Sequence, residues 1–198
     1  MCLHTKHEVK TADKDIKCYK VLQTIDGVRF EIPSYRCEVE KENGNEYLTP
    51  FQYFPMHLGE TYTDEETFYS PYRDTNGIAD IGSDYFHSFA TIEAAIEAIG
   101  NCEMLDAIVV ECVIPKGTQY YEGCMYYSQA NNGEVHTYAS KTLKLTNTIV
   151  AKTNCPREGE TFVLSYDGKE YRLINDKDQF STDKVIALHW IEVEKVLA

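Results

Sequence analysis

The chain contains 198 residues, of which 43% are hydrophobic and 26% are charged. This composition is typical of a globular domain that buries a core, and it excludes disorder over most of the length. No apolar run approaches the roughly 18 residues of a membrane-spanning helix, and the polar segment 1–7 does not resemble a signal peptide. These features predict a cytoplasmic protein that does not enter a membrane.

Acidic side chains are concentrated in the middle of the sequence. Residues 26–111 carry four basic and eighteen acidic side chains, and the whole chain has a net charge of -13. Such a surface repels phosphate at long range, which disfavours direct nucleic-acid binding. It fits either docking on a basic protein surface or charge that simply keeps the protein in solution.

Seven cysteines are present, and none forms a Cys-x-x-Cys pair. The odd number, without an export signal, predicts free thiols, and the missing pairs leave no zinc-ribbon motif. The spacing of Cys2, His4 and His7 would allow a metal ion to collect three ligands. Residues so close to a terminus are more often frayed, so no metal site is predicted.

The first half of the chain predicts strands followed by a long loop region. Ile16 to Ile25 and Val28 to Ile32 flank Asp26-Gly27 as in a tight hairpin, and Tyr35 to Lys41 is a further extended stretch. Residues 47–84 lose all periodicity but are rich in aromatic side chains. We expect ordered irregular structure there, folded over the core, of the kind that often carries function.

Thr91 to Ile99 is the one clear helix in the sequence. Thr91 is suited to cap the N-terminus, and Gly100 to take the left-handed conformation after the last turn. The apolar residues recur at i, i+3, i+4 and i+7, which predicts a buried stripe. It consists of Ile92, Ala95, Ile96 and Ile99.

Beyond the helix the pattern returns to strands. Ala107 to Ile114 is a nearly continuous apolar run, which predicts a central strand covered on both faces, and Pro115 to Thr118 predicts a turn. Gln119 to Tyr127 is aromatic and extended. Thr142 to Ala151 alternates, and a regular strand would place on one face the apolar residues Leu143, Leu145, Ile149 and Ala151.

The end of the chain predicts a second hairpin and a last strand. Thr161 to Tyr166 and Lys169 to Ile174 flank Asp167-Gly168, and Lys184 to Val193 follows. The fold class is therefore α+β, with a mostly antiparallel sheet and few helices. We expect a main domain over residues 1–155, with the aromatic loop region at 47–84, and a small β extension over 156–198 that packs on the same domain.

Three segments, in chain order, resemble the ADP-ribosyltransferases: Cys18 to Val21 on the first strand, Tyr85 to Phe89 before the helix, and Val109 to Thr118 with its Pro-Lys-Gly-Thr turn. The resemblance implies an ADP-ribosyltransferase-like scaffold in which Lys20 replaces an arginine of the family. It also implies a second motif formed by His87 and Ser88.

The carboxylate that this family uses is missing from its expected place. Tyr138-Ala-Ser140 stands where Glu-x-Glu or Gln-x-Glu is expected, and without that glutamate the transfer chemistry loses its principal group. The resemblance therefore implies a scaffold more than an activity, unless Glu122 or Glu134 supplies the carboxylate. The phosphate-loop, dinucleotide, zinc-protease and serine-hydrolase motifs are also missing.

The chain is also similar, over most of its length, to uncharacterised small proteins of gut Bacteroidales and their phages. The shared features are an opening Met-Cys-Leu, a His-Ser-Phe segment and an Ile-Pro-Lys-Gly-Thr segment. This likeness brings no known function. It implies a protein of a phage or mobile element, in the cytoplasm of a bacterium or of an infected cell.

Two functions from different classes follow. The first is a non-catalytic binding protein, needing no cofactor, that engages a basic host protein or a nucleotide-like ligand through an acidic, tyrosine-rich surface. Its predicted partner-binding residues are Tyr62, Asp64, Glu65, Glu66, Tyr69 and Tyr72. Its predicted ligand-binding residues are Lys20, Tyr85, His87, Ser88, Tyr121 and Ser140. The alternative is an ADP-ribosyltransferase-type enzyme that acts on the nicotinamide dinucleotide NAD, and the missing glutamate favours the first.

Overall fold

The computed structural model describes residues 3–24, 47–50, 54–65, 73–82, 84–101, 107–125, 135–153 and 161–174. These residues form one helix and fourteen strands, which join in a single sheet. Every strand pairing among them is antiparallel. The predicted sheet-rich α+β class is therefore confirmed.

The strands are, in chain order, β1 (Leu3–Thr5), β2 (Lys10–Thr11), β3 (Ile16–Thr24), β4 (Tyr47–Leu48), β5 (Pro55–Met56), β6 (Thr61–Thr63), β7 (Ala79–Ile81), β8 (Phe86–Phe89), β9 (Ala107–Ile114), β10 (Gln119–Met125), β11 (Val135–Ser140), β12 (Thr142–Thr153), β13 (Thr161–Tyr166) and β14 (Lys169–Ile174). Helix α1 (Ile92–Asn101) lies between β8 and β9. The described part of the chain contains no helix that is long and apolar enough to cross a membrane.

The sheet is organised around β9, the apolar run of the sequence. The main strand order is β14-β13-β12-β9-β3-β8-β11-β10-β1-β7, with β2 on β10, β6 on β12, and β4 between β3 and β5. Strand β9 pairs with β3 from Ile16↔Ile114 to Gln23↔Ala107. Val109 packs with the helix and Val110 packs on the opposite side. The prediction of a central strand covered on both faces is confirmed.

Helix α1 covers one face of this sheet, which we call the helix-side face. The Thr91 hydroxyl accepts a hydrogen bond from the Ala94 backbone N–H at 3.1 Å, so the predicted N-cap is present. Ala95, Ile96 and Ile99 are buried against the sheet, as the stripe predicts. The helix includes Gly100 and ends at Asn101, so Gly100 is not the residue that terminates it.

The opposite face of the central strands carries a second apolar cluster, and we call it the thiol-side face because Cys18 and Cys112 lie on it. Its buried residues are Cys18, Leu22, Met56, Ile108, Val110, Cys112, Ile114, Leu143 and Leu145. Cys18 and Cys112 lie directly opposite each other on β3 and β9, and both are free thiols, as is Cys124. The remaining cysteines lie outside the described residues.

The predicted single apolar face of β12 is wrong. Leu145 pairs with Cys112, whereas Ala151 pairs with Val109, and these two partners point to opposite faces of β9. The register between β12 and β9 shifts on both sides of Ile149, which is 42% exposed. These bulges reverse the alternation within one strand, so Leu145 joins the thiol-side core and Ala151 the helix-side core.

The second predicted hairpin is present as β13 and β14. Asp167 and Gly168 have φ values of 51° and 68°, the conformation that two-residue hairpin turns require. Strand β13 pairs with β12, so this hairpin extends the main sheet. The predicted strands at 28–32, 35–41 and 184–193, and the predicted boundary at 154–159, lie outside the described residues.

Candidate functional site

Lys20 is a buried lysine in the centre of the sheet. It lies opposite Val110, which places its side chain on the thiol-side face, and it is only 8% exposed. Its Nζ donates one hydrogen bond, to the backbone carbonyl of His87 at 2.7 Å. Burial lowers the pKa of Lys20 to about 8, although the nearby Cys112 and Cys18 thiols act to raise it.

Ser88 lies beside Lys20 and is fully buried. Strands β3 and β8 are antiparallel and pair at Tyr19↔Phe89, so Ser88 lies opposite Lys20. Because side chains alternate along a strand, Ser88 and Lys20 both point to the thiol-side face. The Ser88 hydroxyl makes no hydrogen bond of standard geometry within the described part of the chain, although it lies close enough to the Cys18 thiol to lower the pKa of that thiol. A buried hydroxyl without a partner is costly and therefore informative.

The Cys18 thiol belongs to the same group. Burial raises its pKa to about 11, while the Ser88 hydroxyl and the Lys20 ammonium act in the opposite direction. Burial likewise raises the pKa of Cys112. Both thiols are therefore protonated at neutral pH, and the Lys20 ammonium has no anionic neighbour in this cluster.

The His87 ring lies on the other face of the sheet. His87 pairs with Ala139, which pairs with the buried Tyr121 of the helix-side face. Its Nε2 is 2.7 Å from the carbonyl oxygen of Gly82. Because a carbonyl only accepts, Nε2 carries the proton, and Nδ1 is a buried lone pair without a partner in the described chain. Burial lowers the pKa of His87 to about 4, and the charge of Lys20 lowers it further.

The sheet thus divides the six predicted ligand-binding residues. One group, on the thiol-side face, consists of Lys20, Ser88 and Ser140; the other, on the helix-side face, consists of Tyr85, His87 and Tyr121. Ser140 donates a hydrogen bond to the carbonyl of Thr142 at 3.0 Å. Lys20 and Ser88 therefore lie together and the His87 ring does not join them, because neighbouring residues of a strand point to opposite faces.

Lys141 is a second buried lysine, and the sequence does not single it out. It is 8% exposed, donates to Asp64 at 2.6 Å and to the Asp84 carbonyl at 3.1 Å, and lies 4.6 Å from the ring centre of Tyr85. Tyr85 contacts Tyr121 edge-on at 5.7 Å, and burial raises the pKa of Tyr85 to about 12. Asp64 is therefore part of a half-buried ion pair, and not a freely exposed docking charge.

Phe54, Tyr62 and Phe86 form a partly exposed aromatic group. Phe54 is 44% exposed and packs edge-on against Tyr62 and Phe86, with ring centres 5.9 and 6.5 Å away. The Tyr62 hydroxyl donates to Glu60 at 3.1 Å, and the carboxylates of Glu60 and Glu65 are on exposed residues. We call these five residues the Phe54 patch. Of the other predicted partner residues, Glu66, Tyr69 and Tyr72 lie outside the described residues.

Glu122, a candidate for the missing carboxylate, is engaged by two neighbours. Its carboxylate forms ion pairs with Lys10 and, at 2.8 Å, with the His136 Nε2. The hydrogen bond from Lys10 and the charge of Lys10 lower the pKa of Glu122. Glu122 shares a face with Ser88, because Tyr138 lies opposite both residues. Glu134 lies outside the described residues.

The N-terminal segment is ordered where the structure describes it. His4 lies in β1, between β10 and β7, and its Nδ1 is 2.5 Å from Asp80. The expectation of a frayed terminus is therefore wrong for residues 3–5. Within the described ranges no three His, Cys, Asp or Glu side chains are arranged to hold a metal ion, and Cys2 lies outside those ranges.

No family model, curated protein or solved structure matches this chain.

Proposed function

We propose that this chain is a non-catalytic binding protein that docks on a basic protein surface through the Phe54 patch. The observation that carries this proposal is the exposed Phe54 ring, supported by Tyr62 and Phe86. The Tyr62 hydroxyl holds Glu60, and the exposed Glu65 follows Tyr62 by three residues. Fixed aromatic rings supply contact area at a small cost in side-chain entropy, and they are enriched at interfaces. Carboxylates around them favour basic partners and speed their encounter.

The chemistry of the patch fits an arginine-rich segment of the partner best. A guanidinium can stack on an aromatic face and pair with a carboxylate at the same time, which a lysine ammonium does less well. The net charge of -13 would attract such a segment over a distance of about a Debye length. The resemblance to phage-borne proteins would make the partner a protein of the infected host.

Binding of an arginine decapeptide, followed by surface plasmon resonance at about 0.05 and 0.3 M salt, tests this function. We expect Glu65→Lys to slow association several-fold at low salt, because exposed charges steer encounter. Phe54→Ala should raise the dissociation constant about tenfold by removing the aromatic contact. Glu170→Lys makes the same charge change at an exposed residue of β14.

The matched control decides between a patch and a general charge effect. If Glu170→Lys weakens binding as much as Glu65→Lys, the peptide reads net charge alone and the Phe54 patch is not the site. Normal binding by Phe54→Ala would contradict the proposal in the same way. Circular dichroism of each variant should match the parent, since the side chains of Phe54, Glu65 and Glu170 are all exposed.

The alternative, an ADP-ribosyltransferase-type activity on NAD, is favoured by one arrangement. Lys20, Ser88, Tyr138 and Glu122 lie on one face in four neighbouring strands, over about 14 Å of sheet. Calorimetric titration with NAD, followed by a hydrolysis assay, tests this alternative. Hydrolysis that Glu122→Gln abolishes would support the enzyme; binding without hydrolysis would indicate a nucleotide-binding protein, and no binding would contradict both.

A further inference from the structure

We propose that Lys20 and Ser88 form a buried site that takes a small uncharged aldehyde or ketone through reversible imine formation at the Lys20 Nζ. This site is separate from the Phe54 patch and does not depend on the docking function. Three features of the structure carry the proposal: the state of the amine, the free hydroxyl beside it, and the apolar surroundings.

The Lys20 amine is unusual because no described carboxylate offsets the cost of burying its charge. Lys141 has the same exposed fraction, 8%, but forms an ion pair with Asp64. Lys20 has the backbone carbonyl of His87 as its hydrogen-bond partner, and it forms no ion pair with the described residues. Buried lysines without a counter-charge are the ones that proteins use as amine nucleophiles.

The protonation state agrees with this use. With its pKa lowered to about 8, about a tenth of Lys20 is the neutral amine at pH 7, far more than for an ordinary lysine. The titratable groups around it are the thiols of Cys18 on β3 and Cys112 on β9, both protonated, and the neutral His87 of β8. None of these neighbours is an anion that would hold Lys20 fully in the ammonium form.

Ser88 supplies the second polar group that a carbonyl needs. Its hydroxyl is buried, lies next to Lys20 on the same face, and makes no hydrogen bond of standard geometry with the described atoms, although the Cys18 thiol is close enough to interact with it. A hydroxyl in that position can donate to the oxygen of a carbonyl whose carbon faces Nζ. Val110 lies directly opposite Lys20, and Leu22 and Ile108 belong to the same buried apolar cluster on this face. Apolar surroundings favour a small uncharged ligand over an anion.

The covalent step balances without a redox partner. The Nζ lone pair attacks the carbonyl carbon, and the C=O electron pair moves to oxygen, which takes up a proton as nitrogen loses one. The carbinolamine then expels its hydroxyl as water as the C=N bond forms. The net reaction is amine plus carbonyl to imine plus water, and hydrolysis reverses it.

Reductive alkylation of the whole folded chain with propionaldehyde and cyanoborohydride at about pH 7.5 tests the proposal. Peptide mass spectrometry measures the labelling rate of each lysine. The chain contains two matched controls: Lys141, which is equally buried but ion-paired, and Lys17, which lies on the same strand and has a 58% exposed side chain. We expect Lys20 to react at least about tenfold faster than Lys141.

The labelling rates of different lysines are compared in the same folded chain, so this test does not require a variant to fold. Labelling of Lys20 no faster than that of Lys141, or only after urea is added, would overturn the site. Ser88→Ala tests the hydroxyl: it should slow labelling at Lys20 several-fold and leave Lys17 unchanged. An unchanged rate at Lys20 in that variant would remove Ser88 from the proposal.

Discussion

Lys20 shows how a single buried charge affects stability. Its pKa is about 8 in the folded chain and about 10.5 when unfolded. Below about pH 8 both states carry the ammonium, and the folded state bears the full cost of burying it. Between pH 8 and 10.5 the unfolded chain binds more protons than the folded one, so the free energy of unfolding rises with pH through that window.

Replacing Lys20 with methionine should therefore stabilise the protein at pH 7. We expect a gain of about 1 to 3 kcal/mol, because a buried charge is removed and one hydrogen bond to the His87 carbonyl is lost. The gain should shrink as the pH approaches 10.5. Urea unfolding at pH 7 and pH 10 measures both values. Lys17→Met on the same strand, where the side chain is exposed, should change stability much less than Lys20→Met does. A loss of stability in Lys20→Met at pH 7 would contradict this prediction.

At the scale of elements, the attachment of β1 to β10 depends on the missing side chain of Gly123. A Cβ at that position would lie 2.3 Å from the His4 carbonyl oxygen and 2.7 Å from the Leu3 side chain. The nearer atom is backbone, so β1 itself would have to move. We expect Gly123→Ala to cost about 2 kcal/mol or more in thermal or urea unfolding.

Gly82 provides the control for this substitution. No atom of the described residues lies within 4 Å of a Cβ built there, and its φ is not in the left-handed region. Gly82→Ala should therefore leave stability unchanged or raise it slightly through the unfolded chain. Equal costs at the two positions would show that the close approach of β1 is not what Gly123 protects. Hydrogen exchange should show faster opening of β1 in the Gly123 variant alone.

The same scale shows where reading the sequence succeeds. Helix α1, strand β9 and the β13–β14 hairpin depend on local signals, namely a cap with an apolar stripe, an apolar run, and an Asp-Gly turn. Each signal lies within about ten residues, and each of these three elements is present. Local patterning is sufficient there because tertiary contacts act in the same direction.

Sequence reading fails where the deciding contact is distant. The bulges of β12 depend on its register with β9, which places Ile149 in solvent. The pairing of Lys141 with Asp64 joins residues 77 positions apart. The placement of Lys20 and His87 on opposite faces of the sheet depends on the complete strand order. Alternation within one strand does not show which strands are neighbours. From the sequence, Lys20 and Ser88 could be singled out only through the resemblance to the ADP-ribosyltransferases.

At the scale of the whole molecule, the charge of -13 sets a balance between attraction within pairs and repulsion overall. Apart from Lys141–Asp64, each described ion pair has a partner whose side chain is more than a third exposed, as in Lys17–Glu111, so these pairs add little to stability. A surplus of thirteen like charges repels over longer distances and favours expansion. Salt screens both the attraction within ion pairs and the overall repulsion. Its effect on the repulsion is larger, because more charges take part in it.

We therefore expect the melting temperature to rise by about 2 to 4 °C between about 0.02 and 0.2 M sodium chloride, which corresponds to roughly 1 kcal/mol for a chain of this size. Differential scanning calorimetry measures it. The double variant Glu60→Lys, Glu65→Lys adds two charges at each position and changes the net charge from -13 to -9, so its rise with salt should be smaller. A melting temperature that falls with salt would mean that the exposed ion pairs outweigh the repulsion. An equal rise in parent and variant would show that salt acts through some effect other than net charge.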